Sequence, residues 1–321
     1  MPRKLVCDDW KKKGRRKMTD FPTKILLATD GSDDAALAAQ AAADLSRETG
    51  SELHVVHAWS ADVPGAYAVA MPGARSRWYE QQARGLLAEQ VARVEDAGGK
   101  VNEAHLRQGQ AAEEIIGLAN ELNAGLVVMG SRGLGTVERL VVGSVSESVV
   151  RGASRPVLLL RGGARAWPPE RIVIGEDFSE EAVKAAKLAS SIGGLFGVQA
   201  LLVQAHPLLG LAQKGRVFGA TKSDKEVRAA GKALEVLALK LERVLGRDLQ
   251  TKTVAGDAVD CILNASEEDG KTALIAIGSR GLGTLDRLVL GSVSNKVMRM
   301  TVGPVLIYRQ PPAGANVKTS L

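Results

Sequence analysis

The sequence predicts an α/β chain built of two tandem doubly wound, Rossmann-like domains, each with a five-stranded, mainly parallel sheet and four helices. The first observation behind this is an internal repeat. Shifted by 148 positions, GSRGLGTVERLVVGSVSESVVRGASRPVLLLR (130–161) meets GSRGLGTLDRLVLGSVSNKVMRMTVGPVLIYR (278–309), with 20 of 32 residues identical. Shifted by 147, ILLATDGS (25–32) meets IVIGEDFS (172–179), and SELHVVHAW (51–59) meets VQALLVQAH (198–206). A repeat of about 140 residues is a whole domain rather than one turn of a solenoid. The second observation is that short apolar runs alternate with helical patterns inside each repeat, which argues for parallel strands covered by helices on both faces. The third is composition. Hydrophobic residues at 45% and charged residues at 24% support real cores, and aromatics at only 3% leave the packing to Val, Leu, Ile and Ala.

In chain order, strands are expected near 24–29, 52–58, 100–106, 125–130 and 156–161, with helices near 33–49, 79–97, 111–123 and 143–152. The second half repeats the strands near 171–176, 198–205, 249–255, 272–278 and 304–309. The domains run over 21–161 and 171–310, joined by the Gly- and Pro-rich linker GGARAWPPE (162–170). Residues 1–20 are expected to be a basic, disordered tail, and 311–321 a second disordered tail. The last strands of the two halves, PVLLLR and PVLIYR, are apolar and terminal, so pairing them inside one chain hides both sheet edges.

The formal net charge of +6 sits at one end: residues 1–17 hold eight basic side chains against Asp8 and Asp9, and the remainder is neutral. Nucleic acid is therefore an unlikely partner for the body of the chain, although the tail reads equally as a basic arm for anionic surfaces or as a misassigned start. Two cysteines, Cys7 and Cys261, make no disulfide framework and no zinc spacing, which points to a reducing cytoplasm. No apolar run is long enough to span a bilayer.

The chemistry is expected beyond the carboxyl ends of the strands, where strand order reverses. An acid ends the first strand of each half, Asp30 and Asp177, followed by a serine that suits a helix N-cap. A glycine pattern, G-x2-G-x9-G-S, comprises Gly130, Gly133, Gly143 and Ser144, and again Gly278, Gly281, Gly291 and Ser292. The first two glycines let backbone approach a sugar or phosphate. The last opens a helix whose free N–H groups suit a phosphate chain. Turn glycines alone would explain one copy of this spacing but not its retention in both. Arg132 and Arg280, between the paired glycines, reach a phosphate, stay solvated, or pair with Glu138 and Asp286.

With these residues in view, the chain after residue 20 resembles the ATP-binding branch of the universal stress protein family. The resemblance implies that Asp30 and the backbone of Ala58 contact adenine, that Gly130 and Gly133 lie by ribose and phosphate, and that Gly143, Ser144, Val145 and Ser146 hold the phosphates. In the second half it implies Asp177, Ala205, Gly278, Gly281, Gly291, Ser292, Val293 and Ser294. It further implies ATP with Mg2+ or Mn2+ on the phosphates, an intrachain pseudo-dimer, a possible homodimer and an unidentified regulatory protein partner. The chain departs from the family in carrying Gly125 and Ala273 where an Asp usually starts the fourth strand, and in the small size of Ala58 and Ala205.

Other signals carry less. ASEEDGKT (265–272) fits a loose phosphate-loop pattern but lies between a helix and a strand, the reverse of the required order. His54 and His57 leave a strand on opposite faces, and His105 and His206 stand alone, so no metal site is expected. No nucleophile and base pair up, which favours a nucleotide-dependent regulator in stress response over a slow ATPase or nucleotidyl-transfer enzyme using the same sites. The segments 60–78 and 206–224, with Tyr67, Met71 and Phe218, are expected to be mobile covers over the sites.

Overall fold

A computed structural model of the protein describes residues 21–60, 72–133, 142–162, 166–206, 220–281 and 290–310, without the side chains of 72–76, 220–227 and 269. The two tails and most of the two covering segments lie outside the described residues. The first half runs β1 (Lys24–Ala28), α1 (Asp33–Thr49), β2 (Glu52–Trp59), α2 (Pro72–Asp96), β3 (Val101–Gln108), α3 (Ala111–Glu121), β4 (Leu126–Gly130), α4 (Ser144–Gly152) and β5 (Val157–Leu160). The second runs β6 (Arg171–Gly175), α5 (Glu180–Phe196), β7 (Gln199–His206), α6 (Ala220–Leu245), β8 (Gln250–Ala255), α7 (Ala258–Glu267), β9 (Ala273–Gly278), α8 (Ser292–Met300) and β10 (Val305–Tyr308), with a 3-10 turn at Glu268–Gly270.

The strands form a single ten-stranded sheet in the order β3-β2-β1-β4-β5-β10-β9-β6-β7-β8. Among the described residues, pairing is parallel within each half and antiparallel only where β5 meets β10, with Leu306 opposite Leu158. The expected union of the last strands is thus present. Helices cover both faces. One layer packs α1, α2, α5 and α6 on residues such as Leu27, Val55, Ile174 and Leu202; the other packs α3, α4, α7 and α8 on Leu26, Val127, Val173 and Ile275. No helix among the described residues is long and apolar enough to cross a membrane.

Local chemistry sets the helix ends. Ser32 and Ser179 cap α1 and α5, their Oγ atoms accepting from the Ala35 and Ala182 N–H groups at 3.2 Å. Gly50 and Gly197 end the same helices with left-handed backbones at φ 76° and 64°. α2 starts at Pro72, several residues before the expected 79, because proline is well placed in a first helical turn. α6 likewise reaches back to Ala220, so part of each segment expected as a loose cover is helix.

The described part of the expected linker around Trp167 is packed into the seam between the halves. Trp167 is only 4% exposed, donates from Nε1 to Asp44 Oδ2 at 3.2 Å, and meets the Phe196 ring edge-on at 5.2 Å. It therefore ties α1 of one half to α5 of the other. Two buried arginines cross the seam reciprocally. Arg161 Nη1 donates to the Thr301 carbonyl that caps α8, at 2.6 Å, and Arg309 donates to the Val150 and Arg151 carbonyls at the end of α4. Each cation thereby meets the negative end of the other half's helix. Trp167→Ala should lower unfolding free energy in guanidinium chloride by about 3–5 kcal/mol, the usual cost of truncating a buried indole; a loss below about 1 kcal/mol would show that the halves do not depend on this anchor.

Candidate functional site

Strand order reverses between β1 and β4, and between β6 and β9, so a crevice opens beyond the carboxyl ends of the strands in each half. In the first half it is a cavity of about 560 Å³ whose wall includes all nine expected residues, Asp30, Ala58, Gly130, Arg132, Gly133, Gly143, Ser144, Val145 and Ser146. In the second it is about 390 Å³, and the nine counterparts Asp177, Ala205, Gly278, Arg280, Gly281, Gly291, Ser292, Val293 and Ser294 line it. Ala28, Ile115, Met129 and Val142 give the first cavity an apolar floor, and Val203, Ile262 and Ile277 do so in the second. An apolar floor with a few polar groups at one side suits a planar base carrying a polar tail.

Several expected residues also do structural work that was not read in the sequence. A Cβ on Gly130 would lie 2.8 Å from the Ala35 N and the Asp34 carbonyl carbon, and one on Gly278 would lie 2.7 Å from the Ala182 N. These glycines admit the first turn of α1 and α5 against the fourth strand, so packing alone requires them. A Cβ on Gly133 or Gly281 would sit 2.6 or 2.5 Å from the Oδ2 of Asp30 or Asp177. The other oxygen of each acid accepts from the Ser32 or Ser179 N–H, at 3.1 and 3.0 Å. The acid thus braces the helix entry and lines the cavity together.

Arg132 is held by Asp34 in a two-pronged pair at 2.9 and 3.0 Å, and Arg280 by Glu181. The bond to Asp34 outweighs burial and raises the Arg132 pKa above its ordinary value. Glu138 and Asp286, the partners considered from sequence, lie outside the described residues. Ser146 and Ser294 are buried and donate to the Gly130 and Gly278 carbonyls at 2.9 and 2.7 Å, pinning the helix to the strand end. What faces the cavity freely is the start of α4 and α8: Gly143 and Gly291 give no side-chain cap, Ser144 and Ser292 are exposed, and the first turn's N–H groups lack intrahelical acceptors.

Charged cavity residues at two places were missed from the sequence. Glu147, in the first turn of α4, receives Arg151 at 2.7 Å and Arg299 at 2.7 Å. Burial opposes its ionisation, but these two arginines hold the carboxyl below the usual range. Arg299 comes from α8 of the other half and lines the first cavity. The second half has Asn295 at the matching place, and this difference between the repeats is the signal that could have been read. Glu176, where the first half has Thr29, is the second. It is 5% exposed, its Oε1 accepts from the Phe178 N–H at 2.7 Å, and its Oε2 has no partner among the described residues. Burial pushes its pKa up to about 7.

The Asp that the resemblance implies at the start of the fourth strand does not fit at Gly125, because a Cβ there would lie 2.7 Å from Pro22 Cβ. ASEEDGKT spans the end of α7, the 3-10 turn and the approach to β9, so no helix starts at its GKT. His105 does not stand alone: its Nε2 lies 3.1 Å from His54 Nδ1. The sequence concealed this because an extra residue in β3 shifts its register against β2 between Leu53 and His54.

The sequence signature of the Universal stress protein family matches residues 22–161 and again 169–309. The chain belongs to the universal stress protein family. Its coarse role is therefore in stress response. Among universal stress proteins it is similar to one from Mycobacterium tuberculosis, 26% identical over 89% of this chain and 97% of that protein. It is also similar to one from Thermus aquaticus, 40% identical over 43% of this chain and 97% of that shorter protein. In fold it is similar to the crystal structure of a universal stress protein from Archaeoglobus fulgidus, with a TM-score of 0.64, 21% identity, and coverage of 90% of this chain and 97% of that one.

Glu176 sets a pH dependence. Its folded pKa lies above the ordinary carboxyl value near 4.5, so the protein binds more protons folded than unfolded between about pH 4.5 and 7. Its contribution is fully favourable below that window and is lost as pH rises through it. Glu176→Gln should therefore gain on the wild type by on the order of 2–3 kcal/mol between pH 5 and 8, read from denaturant melts; parallel pH profiles would show that the carboxyl is solvated.

Proposed function

We propose that each half of this universal stress protein binds one ATP and that the chain acts as a nucleotide-dependent regulator. The observation that carries this is the recurrence, in both crevices, of an acid, an apolar floor and an uncapped helix N-terminus that presents Ser-Val-Ser. The base lies on the apolar floor near Ala58 or Ala205, and the phosphates lie at the start of α4 or α8, where backbone N–H groups and the helix dipole attract an anion. Gly130 and Gly278 act by letting the helix entry close on the strand end, and Arg132 and Arg280 form part of the wall through their ion pairs. A Mg2+ or Mn2+ ion accompanies the nucleotide, held mainly by phosphate oxygens and water.

Regulation draws on the seam. Arg299 belongs to one half and borders the cavity of the other, and Ser131, beside that cavity, accepts from Arg161 Nε at 3.0 Å while Arg161 reaches Thr301. A phosphate chain entering the first cavity changes the charge that Glu147, Arg151 and Arg299 balance. The two sites are thus unequal, and a partner could read the occupancy of the first through the position of α8.

Gly143→Asp and Gly291→Asp separate the sites. Both glycines occupy N-cap positions with negative φ, −65° and −59°, where Asp is a favoured cap. The new carboxylate takes the N–H groups offered to phosphate, so each variant should fold yet bind about a hundredfold more weakly at its own site, about 3 kcal/mol. Calorimetry with a non-hydrolysable ATP analogue on nucleotide-free protein should find two sites in the wild type, one in each variant and none in the double variant. One site in the wild type would limit ATP to one half. Arg299→Ala should weaken the first site by about threefold, on the order of 0.6 kcal/mol for a partly exposed charge, and leave the second unchanged.

A further inference from the structure

We propose that His54, His105 and Glu103 bind one divalent transition-metal ion, of the Zn2+ class, at the outer edge of the first half. The site lies apart from both crevices. His54 is on β2, His105 and Glu103 on the edge strand β3, and the strand register sets His54 beside Glu103 and Val56 beside His105. The register shift after Leu53 is what brings these residues to one face; Asn102, the extra residue, is fixed by accepting from the Leu53 N–H at 2.9 Å.

Three ligand atoms converge there. His54 Nδ1 and His105 Nε2 are 3.1 Å apart, and Glu103 Oε2 lies 3.9 Å from the first and 3.8 Å from the second. Two nitrogens on one tetrahedral Zn2+, each at about 2.0–2.1 Å, are about 3.3 Å from one another, so the imidazoles are already near the required spacing. Glu103 is exposed and must move in by only about half an ångström to reach the same ion. Water fills the remaining coordination position. Behind the site, His54 Nε2 is buried without a hydrogen-bond partner among the described residues and faces Glu52 Oε2 at 3.7 Å. A metal on Nδ1 fixes the proton on Nε2 and turns that contact into the carboxylate–imidazole–metal arrangement that orients a ligating histidine. The neighbouring cation Arg107 is paired with Glu121 on α3, and Lys24 with Glu52 at 3.4 Å, so neither opposes an incoming ion unbalanced.

The second half provides an internal control. At the matching register positions it carries Leu201, Gln250 and Lys252, with β7 and β8 paired from Leu201 to His206. Lys252 turns to Glu268 at 2.6 Å. The fold therefore packs well with a leucine where the first half buries an imidazole, so the scaffold does not require the histidine pair. An oxygen-and-nitrogen donor set with two imidazoles suits Zn2+, Co2+ or Ni2+ better than Mg2+ or Ca2+.

The test is a titration of the full chain, stripped with a chelator and dialysed, with Zn2+ against a chromophoric competitor, and with Co2+ followed by its visible absorption. The wild type should bind one ion per chain at this site, Glu103→Gln should weaken it at least about tenfold, and His105→Gln about a hundredfold or more. Because Glu103 is exposed, its variant cannot fail through misfolding. The triple variant His54→Leu, Glu103→Gln, His105→Lys, which installs the second half's residues, should lose the ion and the Co2+ band. Equal Zn2+ affinity in the wild type and Glu103→Gln, or a Co2+ spectrum unchanged in the triple variant, would overturn the proposal and leave the pair as an imidazole–imidazole hydrogen bond.

Discussion

The close approach of a helix entry to the end of the fourth strand governs both halves. At Gly130 and Gly278 there is no room for even a methyl group between the strand and the first turn of α1 or α5. That contact seats Ser32 and Ser179 so that each hydroxyl both caps its helix and donates to the carbonyl of Arg132 or Arg280, at 3.0 and 3.2 Å. It also brings Asp34 and Glu181 within reach of the arginine and serine that follow the strand. With one face of the strand end filled in this way, the crevice opens on the other face, toward the uncapped start of α4 or α8. The site is therefore a consequence of packing before it is a matter of ligand contacts.

The same networks reach the junction of the halves. Asp34 accepts from Ser131 at 3.0 Å, Ser131 accepts from Arg161, and Arg161 ends on the Thr301 carbonyl. Burying an arginine is costly unless its N–H groups find acceptors. Here Arg161 and Arg309 each reach a helix-end carbonyl of the opposite half. Arg161 also donates to Ser131 Oγ of its own half, and Arg161 Nη2 is left without a partner among the described residues, so both charges depend on docking the two halves in one orientation. The antiparallel pairing of β5 with β10 adds backbone bonds and hides two edges that would otherwise invite association with other chains.

Much of this was legible in the sequence, for specific reasons. A duplication with 20 of 32 identical residues exposes the domain number, and the alternation of strands with helices in each copy places the crevice at the strand ends. The union of the last strands followed from their apolar, terminal character together with the family resemblance. The packing role of Gly130 was not legible, since a glycine demanded by a helix contact and one demanded by a ligand look the same in a string. Trp167 was hidden by its Gly- and Pro-rich neighbours, which mark a turn whether or not it is buried. Arg132 turned to an acid almost a hundred residues away, a distance at which spacing carries no information. The His54–His105 contact depends on one extra residue in β3, and periodicity has no means of registering it.

The asymmetry between the halves is concentrated where the shared packing scheme leaves latitude. Leu27 and Ile174, or Leu26 and Val173, do equivalent work in the two cores and differ little. At the strand ends the copies diverge in charge: Thr29, which donates to Gln90 at 3.1 Å, is replaced by a buried Glu176, and Glu147 by Asn295. Neither change disturbs the backbone, since both halves keep the same strand order, helix entries and uncapped helix starts. Each alters the field inside one crevice only. A single-domain chain that dimerised through its last strand would place two identical crevices across that seam and could not bias one against the other. Joining the copies covalently removes that restriction, because a residue such as Arg299 can serve the first crevice while its counterpart Arg151 bonds within its own helix to Glu147. One chain thus carries two crevices that differ in charge on equivalent frames.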